Sequence, residues 1–274
     1  MSVTRNNTFY VAGSNVEDIH CTCVLPRCQI ETAKIYREAF GDKVCFELLP
    51  MFDLPEFESN LEANIDFLRE GPVSFHEPVF CVEHSAPKGS PEYEESMRHI
   101  MLTKKFADIL HPAHMVYHIS NCKVTPETKD SMLKTSLENL EEIREIFSGV
   151  QIVVENVGTD VKGDKLLDQE EFTALCREKN FDVLIDVGHA NANSWDIRRL
   201  IHDLRTQIRA YHLHNNDGVH DLHNRLSDGT INFPELMPYI LSETPEAKLT
   251  IEYTRPEYHG RPLMEDIETL CRMI

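Results

Sequence analysis

The sequence predicts an α/β fold, a single-domain (β/α)8 TIM barrel over residues 1–274. Three observations carry that expectation. The length of 274 residues suits one barrel of this kind. Eight short apolar segments alternate with amphipathic helical stretches, and such alternation implies a parallel sheet, because parallel strands need crossover helices. The apolar segments also end in, or run straight into, a carboxylate or a histidine. A strand has no use for a charge at its end, since desolvating one without a partner costs several kcal/mol. The C-terminal ends of barrel strands are, however, where such a fold keeps its reactive groups.

The elements follow in order. TFYVAG is the first and least defined strand, and a cysteine-rich stretch without clear periodicity follows it through Arg27. KVCFELLP carries Glu47, and a helix is expected over 54–71 with Gly71 at its end. PVSFHEPVF carries His76. Ser90-Pro91 supplies a capping residue and a first-turn proline for a helix running to about Leu110. HMVYHIS carries His118, and Thr125-Pro126 opens a helix that ends near Ser148-Gly149. VQIVVENVG carries Glu155, FDVLIDVGH carries Asp186 and His189, and Asp168 and Ser194 are expected to cap the next two helices. IRAYHLHNN carries His212 and His214, and AKLTIEYT carries Glu252. No low-complexity stretch, linker or composition break divides the chain.

Hydrophobic residues make up 41% of the chain, enough for a packed core, and no apolar run approaches membrane-spanning length. The first residues lack a basic segment followed by an apolar one, so a cytoplasmic protein is expected. Lys+Arg of 27 against Asp+Glu of 46 gives a formal charge of −19, which argues against nucleic acid as a partner. The eight cysteines include no CxxC pair and read as reduced, mostly buried thiols. The cluster Cys21, Cys23, Cys28 lacks a second cluster to complete a tetrahedral site. A homo-oligomer is left open.

Glu155, Asp186, His212 and Glu252 form the central constellation. Three carboxylates converging at one barrel mouth cannot all stay ionised unless a cation joins them. Three carboxylates and one imidazole suit Mn²⁺, Mg²⁺, Co²⁺ or Zn²⁺, with Mn²⁺ favoured, and one divalent ion is expected. Gly188 is expected to allow a tight turn that brings His189 back over the mouth. His212 and His214 share strand parity, and the residue nearer the barrel, His212, is preferred as ligand, with His214 behind it or facing substrate. The polar loop from Asp221 through His223 to Gly229 lies where barrel loops contact ligand. His76 and His118 read as substrate contacts or as ligands of further metals.

At these residues the chain resembles the xylose-isomerase-like TIM-barrel superfamily, which holds sugar and sugar-phosphate isomerases and epimerases together with apurinic endonucleases of the endonuclease IV type. The matching pieces are VVENVG, LIDVGHANAN, AYHLHNNDG, DLHNRLSDGTINF and LTIEYT; before His76 only the general pattern matches. The resemblance implies a metal-dependent isomerase or epimerase that moves a proton on a small carbohydrate through a metal-stabilised enediolate. Glu155, Asp186, His212 and Glu252 would be the ligands, Glu155 and Glu252 also the catalytic proton-shuttling pair, and His189 a substrate contact. In the endonuclease branch the ligand set for three zinc ions would fall on His76, His118, Glu155, Asp186, His189, His212, Asp221, His223 and Glu252. A metal-dependent lyase or dehydratase is a further alternative. Asp186-Val-Gly-His189 where the endonucleases have Asp-Thr-Cys-His, His76-Glu-Pro-Val, and Ser227 in place of a glycine all favour the sugar-active branch. Arg225 is the available arginine for the substrate-holding position of some epimerases.

Overall fold

The computed structural model describes residues 9–13 and 25–273, with side chains described from Ile30 onward except at Asp42 and Pro256. Eight parallel strands close into a barrel in sequence order: β1 (Phe9–Gly13), β2 (Val44–Leu48), β3 (Val73–Phe75), β4 (Met115–His118), β5 (Ile152–Glu155), β6 (Asp182–Asp186), β7 (Ile208–Leu213) and β8 (Lys248–Tyr253). Helices lie between them: α1 (Leu25–Phe40), α2 (Phe57–Ala63), α3 (Ile65–Leu68), α4 (Pro91–Leu110), α5 (Lys129–Ile146), α6 (Gln169–Lys179), α7 (Val187–Ala192), α8 (Ile197–Leu204), α9 (Phe233–Glu243) and α10 (Arg261–Met273). Among the described residues no helix is long and apolar enough to cross a membrane.

The two-residue period of a strand explains why one chain can be apolar inside and reactive at its mouth. Val116, Val153, Leu184 and Ala210 form a small buried cluster of their own. Two residues further along the same strands stand His118, Glu155, Asp186 and His212, all buried. The lumen is therefore plugged by short apolar side chains directly beneath a polar layer. The alternate residues Tyr117, Val154, Ile185 and Tyr211 belong instead to the main core. Strand register sets His118 beside Glu155 and Asp186 beside His212, but Glu155 beside Leu184 and His212 beside Thr250, so the polar residues step along the strands around the wall; Ala12 of β1 lies between Glu47 and Glu252.

Several helix boundaries differ from the sequence expectation. Ser90 does cap α4, accepting from Tyr93 N at 3.2 Å, and Asp168 forms a full capping box with Glu171. The helix expected from Thr125-Pro126 begins later, at Lys129, because Thr125 and Thr128 close a turn on each other first. Ser194 caps nothing: its φ is +57°, and Asp196 caps α8 by accepting from Arg199 N at 3.0 Å. The span expected as one helix over 54–71 breaks at Asn64 into α2 and α3. Cys81, Cys122, Cys176 and Cys271 are free thiols. The Cys21, Cys23, Cys28 cluster lies outside the residues whose side chains are described.

Candidate metal centre

The centre is built around one nitrogen. His212 on β7 is fully buried, and its Nε2 donates to Glu47 Oε1 at 2.8 Å, which leaves Nδ1 as the free ring nitrogen. That Nδ1 has no hydrogen-bond partner. Around it stand Glu252 Oε2 at 3.2 Å, Glu155 Oε2 at 3.5 Å and Asp186 Oδ2 at 3.7 Å. An orphaned imidazole nitrogen facing three carboxylate oxygens, with its other nitrogen anchored on a carboxylate, is the arrangement that ligating histidines adopt around divalent ions. The donor set thus fits a hard-to-borderline cation.

The neighbouring imidazoles repeat the pattern. His118 Nδ1 donates to Asn121 Oδ1 at 2.7 Å, and its Nε2 faces Glu155 Oε2 at 3.1 Å. His76 Nδ1 donates to the Glu77 carbonyl at 2.9 Å, and its Nε2 lies 3.9 Å from the same Glu155 oxygen. Beyond Asp186, His189 Nδ1 lies 3.1 Å from Glu155 Oε1 and its Nε2 3.4 Å from Asp221 Oδ2, while His223 Nε2 lies 3.0 Å from Asp221 Oδ1. The ligand atoms of His76, His118 and Glu155 all lie within 4.8 Å of one another, and those of His189, Asp221 and His223 do likewise. Asp221 and His223 are loop residues, yet their side chains are only 4% and 13% exposed and are drawn tightly into the cluster. Lys162 also reaches Asp221 Oδ2, at 2.7 Å.

Electrostatics show how much positive charge this layer demands. Burial alone would strip the proton from His212, but the carboxylates of Glu252, Glu47 and Glu155 outweigh it and hold the ring well above the usual histidine range. Burial works to raise Glu155, yet the His118 and His212 charges keep it well below the ordinary carboxylate range. Asp186 is brought to about 2 against its burial by His189 and His214. A divalent cation supplies the same compensation.

The match to a family model described as xylose isomerase-like TIM barrel covers residues 46–273. The chain belongs to this family. Among curated proteins it is similar to the uncharacterized protein MJ1311 of Methanocaldococcus jannaschii, 28% identical over 134 residues, which are 47% of this chain and 44% of that one. The chain thus matches less than half the length of that relative. Among solved structures, a D-tagatose 3-epimerase-like protein superposes with a TM-score of 0.69 at 19% identity, covering 97% of this chain and 99% of that one. An AP endonuclease, family 2, from Brucella melitensis superposes with a TM-score of 0.66 at 15% identity over 91% and 94% of the two chains. At such identities these likenesses show the fold alone.

Ten of the eleven residues expected at the site from the sequence surround one layer of this family barrel. His214 sits behind Asp186, with Nε2 3.0 Å from Oδ2. Gly188 is required for a different reason than expected. It sits in α7 without positive φ, but a Cβ there would come within 1.9 Å of the His214 ring, so only glycine leaves the ring its place. Arg225 is the exception. Its guanidinium makes two 2.9 Å bonds to Asp266 of α10 and donates to the Pro262 carbonyl, so it braces the C-terminal helix and does not reach the mouth.

Sequence reasoning passed over the residues that orient the others. Glu47 accepts from His212 and from Ser74 Oγ (2.8 Å) and faces His114 Nε2 at 3.3 Å, all inside the barrel. Glu77 accepts from His84 Nε2 at 2.7 Å, from Asn121 Nδ2 at 2.6 Å and from the His118 backbone at 2.9 Å, fixing β4 behind the site. Asn156 clips β5 to β6, donating to the Asp186 carbonyl at 2.9 Å and accepting from its N–H at 2.8 Å. Glu47 and Glu77 each carried a signal, being a buried-strand or strand-end carboxylate, but their partners lie far away in sequence.

Proposed function

We propose that the protein is a divalent-metal-dependent isomerase or epimerase acting on a small sugar or related polyhydroxy carbonyl compound. The observation that carries this reading is His212 Nδ1, orphaned and ringed by Glu155, Asp186 and Glu252. A cation held by those four residues supplies Lewis-acid polarisation of the substrate oxygens. Glu155 and Glu252 come from β5 and β8 and approach the same nitrogen, so they stand as a pair of carboxylates around one substrate position. One removes the proton from the carbon beside the carbonyl, and the other returns a proton to the neighbouring carbon or to the opposite face. In this reading His76 and His189 are the substrate contacts, with His76 Nε2 the ring nitrogen left over once Nδ1 bonds the Glu77 carbonyl. Among the described residues, Lys162 is the one lysine or arginine ion-paired with this cluster, and it is engaged by Asp221. That scarcity, with the charge of −19, suits a neutral carbohydrate better than a phosphate backbone.

A second reading, phosphodiester hydrolysis at a multinuclear zinc centre on abasic DNA, is favoured by one observation: His76, His118 and Glu155 on one side and His189, Asp221 and His223 on the other are closely gathered as well. The two readings separate in one experiment. Protein supplied with Mn²⁺, Co²⁺ or Zn²⁺ is incubated with a panel of ketoses and aldoses in D2O and, in parallel, with an abasic duplex. Deuterium entering the carbon beside the carbonyl, reduced at least about a hundredfold in Glu155→Gln and Glu252→Gln, is the expected result. Strand cleavage without exchange on any sugar would replace the first reading with the second.

A further inference from the structure

A cationic side chain already reaches the outer part of this cluster. Lys162 stands on the loop between β5 and α6, and its Nζ donates to Asp221 Oδ2 at 2.7 Å. The Asp221 carboxylate is buried and faces two imidazoles: His189 Nε2 lies 3.4 Å from Oδ2, and His223 Nε2 lies 3.0 Å from Oδ1. His189, Asp221 and His223 alone make a three-donor group of the kind that holds a divalent ion. The lysine sits on the same carboxylate oxygen that His189 faces.

The loop is built to put it there. Thr159 N donates to Asp164 Oδ1 at 2.7 Å, and Gly163 N returns to the Thr159 carbonyl at 2.9 Å. These bonds close a turn around Lys162, whose own N–H reaches Thr159 Oγ1 at 3.3 Å. Gly158, at φ +87°, lets the chain enter that turn, since a Cβ there would come within 2.6 Å of the Asp164 carbonyl oxygen. Two outside ties fix the turn to the barrel. Asp160 N donates to Asn193 Oδ1 at 3.0 Å, just past α7, and Val124 N donates to the Gly163 carbonyl at 2.9 Å. The Lys162 side chain is half exposed, but its backbone is held within reach of Asp221. Withdrawing the ammonium would strip a buried carboxylate of a full positive charge, which costs several kcal/mol unless another cation takes its place.

We propose that the Lys162 ammonium stands in for a metal ion on Asp221, so that His189, Asp221 and His223 stay free of metal while the four residues around His212 Nδ1 hold theirs. The inference rests on the single cation of the proposed function and names the residue that limits the centre to it. A divalent ion bound to Oδ2 at about 2.1 Å would stand no more than about 4.8 Å from the ammonium, two like charges sharing one oxygen in a buried setting. The ammonium is there by virtue of the fold, so the ion is the weaker competitor. His189 and His223 then keep their ring nitrogens for hydrogen bonds, which suits the substrate contact assigned to His189. One lysine thereby separates this centre from the multinuclear centre of the alternative reading.

The test counts zinc ions. Chelator-stripped full-length protein is dialysed against Zn²⁺ at a free concentration that saturates the tight binding of the wild type, and the ions per chain are measured. Lys162→Met should take up one more ion per chain than the wild type, at a site at least about tenfold tighter than the wild type offers there. Lys162→Arg, which keeps the charge, should bind as the wild type does. So should Lys165→Met, which breaks only the 2.6 Å pair with Asp160 in the same loop. The added ion should be lost again when His223→Gln is combined with Lys162→Met. Equal counts in the wild type and Lys162→Met, or an added ion that survives His223→Gln, overturn the proposal. If Lys162→Met fails to fold, acylation of Lys162 in the wild-type chain, read by mass spectrometry, decides. Its rate should be the same with one equivalent of Zn²⁺ and with an excess, and a faster rate in the excess would show the ion displacing the ammonium and refute the proposal. The counts are read without sugar, so equal counts refute the role of Lys162 and leave deuterium exchange to judge the proposed function.

Discussion

At the scale of single residues, the centre depends on side chains that never face substrate. Glu47 fixes which nitrogen His212 presents, because accepting from Nε2 leaves Nδ1 bare at the mouth. Glu47→Gln should therefore lower divalent-metal affinity by about 10- to 100-fold, measured by competition with a chromogenic chelator, with the fold retained. Unchanged affinity would show that His212 is held by other means. Gly188→Ala should cost about 1–3 kcal/mol in denaturant unfolding, since the added methyl must displace a buried ring that is bonded to Asp186. The clustering of Glu155, Asp186, His212 and Glu252 was legible in the sequence because each lies at or near the end of an apolar run. Glu47 shares that signature, yet its role depends on His212, far along the chain and across the barrel, which no local pattern reveals. Arg225 was misread for the same reason, as its partner Asp266 lies on another element.

At the scale of elements, strand positions were legible because period-two patterning and burial act together over each short run. The helix starts were less so. A capping side chain is recognised by the backbone geometry that follows it, and several Ser, Thr and Asp residues compete before α5 and α8. Asp196, not Ser194, accepts from the first turn of α8. Asp196→Ala should accordingly destabilise the protein by about 1 kcal/mol. Ser194→Gly should leave stability unchanged or raise it, because serine at φ +57° bears a steric cost that glycine does not. Thermal unfolding of the two variants checks the assignment, and the reverse order would refute it.

At the scale of the whole molecule, the barrel gathers residues from β3 to β8 and their loops at one mouth, with a buried apolar cluster beneath and Glu47 of β2 bracing His212. The fold class was legible from the alternation of apolar runs and amphipathic stretches. The density of the polar layer was not, because Asp221 and His223 stand on a loop without strand or helix period, and the contacts with His189, His214 and Lys162 that hold them there come from distant parts of the chain. The central claim is that Glu155, Asp186, His212 and Glu252 together hold a divalent ion. Calorimetric titration of chelator-stripped protein with Mn²⁺ and with Zn²⁺ tests it most directly. A tight site weakened at least about a hundredfold in His212→Gln and Asp186→Asn, both still folded, is the expected result; absence of binding in the wild type, or binding undiminished in those variants, would contradict it.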